Sequence, residues 1–184
     1  MTLGPAFADV LGAARTGADW AWTQLYRDLA PAVLGYLRAH NAPDAEDLTS
    51  EVFVAMVRNL GTFEGTEEQF RSWVFVIVHR RMQDARRSLA RHPVDPHPTE
   101  RLERRSDVDV EGEALDAMST ARVRRTFALL SEDQRDVLTL RIIAELSLDE
   151  TAQVLGKSTG AVKSLQHRGL QNVVKILSDQ AVSH

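Results

Sequence analysis

The sequence predicts an all-α protein, two small helical domains joined by a flexible linker. Three observations lead there. Apolar residues recur at the helical period along most of the chain, and Pro93, Pro96 and Pro98 crowd the middle. No stretch alternates apolar and polar residues for five positions beside turn signals, as a half-buried strand would. Of the 184 residues, 43% are hydrophobic and 26% charged, a soluble globular balance that excludes general disorder. The longest apolar run, Trp73-Val74-Phe75-Val76-Ile77-Val78, is far shorter than the roughly 20 residues a bilayer span needs. Cysteine is absent, which excludes disulfides, thiolate metal sites and cysteine nucleophiles. Met1 to Pro5 holds no basic segment followed by an apolar one, so no secretory signal is expected and the cytoplasm is the expected compartment.

Each element follows in order. Phe7, Val10, Leu11 and Ala14 share one face of a first helix. Trp22, Leu25, Tyr26, Leu29, Val33, Tyr36 and Leu37 form the stripe of a second, which Pro31 is expected to kink or split. Pro43-Asp44 opens a third, with Glu46 and Asp47 in the first turn where the helix dipole favours acids. Its apolar face is Leu48, Val52, Ala55 or Met56, and Leu60, and Gly61 ends it. A fourth helix runs from about Glu67 to Ala90 with Phe70, Trp73, Val74, Ile77 and Val78 inward. Residues 92–112, proline-rich, charged and without apolar period, read as the linker.

A second helical block begins near Glu113 with Leu115, Met118, Val123 and Phe127. Ser131-Glu132-Asp133-Gln134 and Ser147-Leu148-Asp149-Glu150 both fit capping boxes, each worth ~1 kcal/mol of local stability. Between them lies a helix with Val137, Leu138, Arg141 and Ile142. A short helix from Leu148 to Leu155 stops at Gly156, and a last one runs from Thr159 to about Leu177. The expected domains are therefore 1–91 and 113–184.

Charge is unevenly spread. The net value of −4 hides acidic stretches at 41–69 and 92–118 and basic ones at 70–91 and 151–177. Local field governs polyanion binding more than net charge does, although any one block alone also fits a solvated helix face. The two final helices, with a tight Gly156-Lys157-Ser158 turn, have the pattern of a helix-turn-helix. On a wheel, Val162, Leu165, Gly169, Val173 and Leu177 gather on one side of the last helix. Gly160, Lys163, Ser164, His167, Arg168, Gln171 and Lys175 gather on the other, a face without a carboxylate. Such a face suits phosphates and base edges in a major groove. In the fourth helix Arg80, Arg87 and Arg91 form one stripe flanked by Arg81 and Arg86, suited to one strand's phosphates, and Phe63 in the preceding loop is a candidate to hold an unstacked base. Asp47, Glu51, Val54 and Arg58 form a mixed acidic and apolar face on the third helix, better suited to a protein than to DNA.

Residues 129–141, 146–156 and 159–164 resemble region 4 of the extracytoplasmic-function sigma factors of RNA polymerase. Asp44 to Phe53 resembles the polymerase-binding segment of region 2, and Phe70 to Arg87 the segment that melts and reads the minus-ten element. Both motifs occur in family order with a linker between. Leu165 departs from the family, which often has Arg there, and Gly169 stands where Ala is frequent.

The resemblance implies an alternative sigma factor. Thr159, Gly160, Lys163, Ser164, His167, Arg168 and Gln171 would then read the minus-thirty-five element. Phe63, Arg80, Arg81, Arg87 and Arg91 would serve the minus-ten element, and Asp47, Glu51, Val54 and Arg58 would dock on core RNA polymerase. Implied partners are core polymerase, promoter DNA and an anti-sigma factor. One alternative is a stand-alone helix-turn-helix regulator with a ligand-sensing or dimerising N-terminal domain. Against it stands the acidic third helix followed by an arginine stripe, an order such a domain does not need. Another is an adaptor without DNA binding, which the acid-free face opposes. No catalysis, cofactor or metal is expected: there is no H-E-x-x-H, no glycine-rich phosphate loop and no G-x-S-x-G.

Overall fold

The computed structural model describes residues 3–91, 123 and 125–182. Regular structure among them is wholly helical. After a 3-10 turn at Gly4–Ala6, α1 (Phe7–Arg15) buries Phe7, Val10, Leu11 and Ala14. The second helix, α2 (Asp19–Ala39), contains Pro31 and is not split there. Proline has no N–H for the preceding turn. Leu25 and Leu29 before it and Val33, Tyr36 and Leu37 after it nevertheless share one core, and that continuous stripe keeps both halves in a single helix.

The third helix, α3 (Ala45–Asn59), follows Asp44, whose φ is 46°, and leaves through a 3-10 turn at Leu60–Thr62. Its Val52 and Met56 are fully enclosed. The long α4 (Glu67–Arg91) buries Phe70, Val74, Phe75, Val78 and Met82, while Trp73 and Ile77 are half-buried. A buried ion pair, Arg71 to Asp28 at 3.1 Å, ties α4 to α2. Burial pushes the Asp28 carboxyl up and the Arg71 guanidinium pulls it back.

The expected linker, 92–112, lies outside the described residues, as do Leu115 and Met118; Val123 is exposed and Phe127 buried. In α5 (Glu132–Ile142) the Ser131 hydroxyl accepts from the backbone N–H of Gln134, one half of the expected box. The Gln134 side chain instead accepts from Asn172 at 3.0 Å. Arg135 donates to the carbonyls of Phe127, Ala128 and Leu130, stapling the entry to the helix. In α6 (Leu148–Leu155) both halves of the Ser147–Glu150 box form, and Gly156 ends it at φ 62°. The last helix, α7 (Thr159–Val182), extends past the expected Leu177. Gly169 is buried, and a Cβ there would stand 3.0 Å from Leu138 Cδ1, so glycine lets α7 lie close on α5.

The two halves pack together. Leu140, Ala144, Leu146 and Val154 enter the core built by α1 to α4, and Ala39 of α2 joins Phe127, Leu130 and Leu138. A polar cluster sits in this junction. His40 lies 3.0 Å by its Nε2 from Thr139 Oγ1 and 3.5 Å by its Nδ1 from Asp136 Oδ1. Tyr36 Oη is 2.9 Å from His79 Nδ1, and Arg86 donates to the His40 carbonyl at 3.0 Å while pairing with Glu132. Burial, then Arg86 and Arg135, lower His40 from 6.5 to about 2. Burial, then Glu132, raise Asp136 from 3.8 to about 7.

Candidate nucleic-acid interface

Two cationic surfaces and one mixed surface lie on the outside of this fold. The first is the outer side of α7. Val162 is fully buried and Leu165 half-buried, which turns Gly160, Lys163, Ser164, His167, Arg168 and Gln171 outward, all exposed. The helix period thus sorts the two sides as the sequence predicts, except that Leu177 is 37% exposed. Arg168 Nε donates to the Ser164 carbonyl at 3.3 Å and Ser164 to the Gly160 carbonyl at 3.0 Å, so the polar residues lie along the helix in one line. Thr159 is also exposed, but its hydroxyl donates to Asp149 at 2.8 Å. That bond ties α6 to the start of α7 across the turn, a contact not visible in sequence spacing. Lys157 pairs with Asp133 at 3.1 Å.

Behind this face, Arg141 sets the relative position of α5 and α7. Its Nε donates to Gln166 Oε1 at 3.1 Å and its Nη1 to the carbonyl of Leu146. Gln166, next to the departing Leu165, therefore has a structural partner.

The second cationic surface is the C-terminal half of α4. Arg80, Arg87 and Arg91 are exposed on one side. Asp84 pairs with Arg87 at 2.6 Å, and Arg91 Nε donates to the Arg87 carbonyl at 3.2 Å. Arg81 is half-buried and stands 3.9 Å from Glu51, on the border of the third surface. Arg86, the other flanking arginine, is turned into the junction with α5.

Phe63 corrects the sequence reading. It is 7% exposed and packs edge-on to Phe70 at 5.2 Å and tilted to Trp73 at 5.3 Å. Core packing claims the ring, so it is not presented to a base. The exposed side chains around the loop are instead polar: Thr62, Glu64, Thr66, Glu68 and Gln69.

The third surface lies on α3. Asp47, Glu51 and Arg58 are exposed, and Val54 is 48% exposed. Exposed Val57 and Tyr26 enlarge its apolar part, the Tyr26 ring tilted against Phe53 at 4.6 Å. Tyr26 belongs by its spacing to the stripe of α2 and Val57 to no stripe; both sit at borders of their apolar arcs. Carboxylates among exposed valines oppose phosphate and favour a protein surface. Among the described residues no group of three or more His, Cys, Asp or Glu side chains is placed to hold a metal ion. No helix among them is long and apolar enough to cross a membrane.

Comparison with known proteins places the chain in a family. The model of sigma-70 region 2 matches residues 25–92, and that of sigma-70 region 4 matches residues 127–175. The chain is similar to the ECF RNA polymerase sigma factor ShbA of Streptomyces griseus, 36% identical over 73% of this chain and 72% of ShbA. It is 30% identical to SigD of Mycobacterium tuberculosis over 89% of this chain and 80% of SigD. BldN of Streptomyces coelicolor is 32% identical over 91% of this chain, which spans 64% of BldN's length. Among solved structures, CnrH in complex with the cytosolic domain of CnrY aligns with 92% of this chain and 96% of its own, with TM-score 0.67 and 25% identity. All-helical architecture, the two region matches in order and these relatives together show that the chain belongs to the extracytoplasmic-function family of RNA polymerase sigma factors.

Proposed function

We propose that this chain is an alternative sigma factor that uses the three surfaces separately. The α7 face from Thr159 to Gln171 reads the minus-thirty-five element, with Lys163 and Arg168 as its cations. Arg80, Arg87 and Arg91 of α4 track phosphates at the minus-ten element, and Arg81 can join them once freed from Glu51. Asp47, Glu51, Val54 and Arg58 of α3 dock on core polymerase. The observation that carries this reading is the outer side of α7: seven polar or small residues in a row, two cationic and none acidic, on the second helix of a helix-turn-helix. A merely solvated face has no reason to exclude carboxylates. The chain's part is selection and opening of the promoter in the cytoplasm, and the polymerase performs the chemistry.

The packed arrangement adds a step. Minus-ten and minus-thirty-five elements are separated by on the order of 80 Å of duplex, at about 3.4 Å per base pair. Two halves sharing one core do not span that length, so binding a promoter requires them to part. CnrH was solved with the cytosolic domain of CnrY bound, and we infer that an anti-sigma partner of that kind holds this chain too. Run-off transcription with core polymerase tests the reading: initiation is expected only when the chain is added, and loss of either promoter element should abolish it. Binding of the chain to DNA and repression without polymerase recruitment would favour a stand-alone regulator instead.

A further inference from the structure

Residues 3–15 precede the match to sigma-70 region 2, which begins at residue 25. They nevertheless grip the loop that leads into α4. The backbone N–H groups of Leu3 and Gly4 donate to the two carboxylate oxygens of Glu67, at 2.5 and 2.8 Å. At the other end of the loop Arg15 donates its guanidinium to the carbonyl of Phe63. Between these, the Phe7 ring packs on Phe70 at 5.5 Å, and Phe70 supports Phe63.

The loop itself is tightly folded. Gly65 has φ 151°, and a Cβ there would stand 3.2 Å from Phe63 Cζ and 2.4 Å from Gln69 Oε1. Gln69 Oε1 also accepts from the Thr66 N–H at 2.9 Å. With the Phe63 ring turned inward, the side chains left outside are Thr62, Glu64, Thr66, Glu68 and Gln69.

We propose that residues 3–15 form a positioning element for this loop, with Arg15 as the residue that fixes where Glu64 and Thr66 stand when a minus-ten base leaves the duplex. The proposal rests on the assignment of α4 and its loop to the minus-ten element. Its physics is preorganisation. A guanidinium on the Phe63 carbonyl restrains the peptide that leads to Glu64, and a carboxylate accepting two N–H groups restrains the other end. The loop's ordering entropy is then lost on folding and not on meeting DNA. The effect belongs to promoter opening, since the docking surface on α3 and the recognition face of α7 lie on other elements. Arg15 is exposed and its aliphatic stem fills no core position, so its replacement spares the fold.

The experiment uses holoenzyme carrying Arg15→Ala or Arg15→Lys, on a duplex promoter and on the same promoter pre-opened by mismatches across the minus-ten element. Permanganate reactivity of unpaired thymines counts open complexes. Arg15→Ala should form about tenfold fewer on duplex and stay within about twofold of wild type on the pre-opened template, the loss of one charge-assisted hydrogen bond. Arg15→Lys, which keeps a donor, should recover most of the difference. Discrimination among single-base changes in the minus-ten element should weaken in parallel. Equal loss on both templates, or undiminished opening of duplex, overturns the proposal. The double variant Glu64→Ala/Thr66→Ala separates it from its premise. Normal opening by that variant means the loop is not the reader, and both fall. Loss of discrimination there, with Arg15→Ala unaffected, removes the proposal alone.

Discussion

Separating His40 from Asp136 should give the junction between the two halves a pH dependence whose sign depends on which partner is removed. His40 of α2 faces Asp136 and Thr139 of α5, with Tyr36, His79, Arg86, Glu132 and Arg135 around it. When the halves part, both groups return toward ordinary values, 6.5 for His40 and 3.8 for Asp136. A lowered histidine contributes junction stability that is present above 6.5 and lost as pH falls toward its packed value of about 2. A raised aspartate contributes stability that is present below 3.8 and lost as pH rises through about 7. Between about pH 4 and 6.5 the pair holds one proton packed or parted, and the two slopes cancel. Asp136→Asn leaves only the histidine slope. Relative to wild type, the parted fraction should then rise about tenfold for each pH unit of acidification below 6.5, one proton per event. His40→Gln leaves only the aspartate slope, and the parted fraction should instead rise with pH between about 4 and 7. Comparison with wild type at each pH cancels the contribution of His79, which burial also lowers. The chain has no cysteine, so Ser88→Cys and Ser178→Cys accept a fluorophore pair without interference, and energy transfer reports the packed population. Three parallel pH profiles would mean that the His40–Asp136 pair does not set the pH response of the junction.

Other expectations are more local. Arg168→Ala and Lys163→Ala should weaken minus-thirty-five binding, by ~1–3 kcal/mol for a residue reading a base, and the phosphate-contacting one should also flatten the salt dependence in a fluorescence anisotropy titration. Normal transcription by both, from a promoter that depends on that element, would contradict the assignment of the face. Asp47→Lys with Glu51→Lys should reduce competition for core polymerase while the full chain keeps its affinity for minus-thirty-five DNA; full holoenzyme assembly would count against the docking surface. Gly169→Val should lower stability by ~1–3 kcal/mol in denaturant unfolding, because its side chain would meet buried Leu138. An unchanged midpoint would show that α5 and α7 have slack.

The helices were legible in the sequence because nearly every one carries a sharply one-sided apolar stripe and a recognisable start or stop. Ser147, Glu150 and Gly156 announced α6 outright, and the structure forms each of those contacts. Pro31 does not split α2 because its local cost is outweighed by a stripe that continues on both sides. Phe63 misled because a residue in a loop carries no periodicity, and only the fold brings Phe70 and Trp73 against it. The roles of His40, Arg86 and Asp136 had no local signal at all, since their partners are remote in sequence. Gly169 stands out in the sequence only as a departure from Ala, and its packing role depends on knowing which neighbour it meets.

Transcription by reconstituted holoenzyme separates a sigma factor from a DNA-binding protein that does not recruit polymerase. Core RNA polymerase, this chain and a genomic promoter library should yield run-off transcripts from a discrete promoter set sharing paired minus-ten and minus-thirty-five elements. Those transcripts should vanish with the Asp47→Lys/Glu51→Lys chain and fall sharply with Arg168→Ala. Transcription no more selective than core polymerase alone, with the chain still binding DNA on its own, would mean that the chain is not a sigma factor.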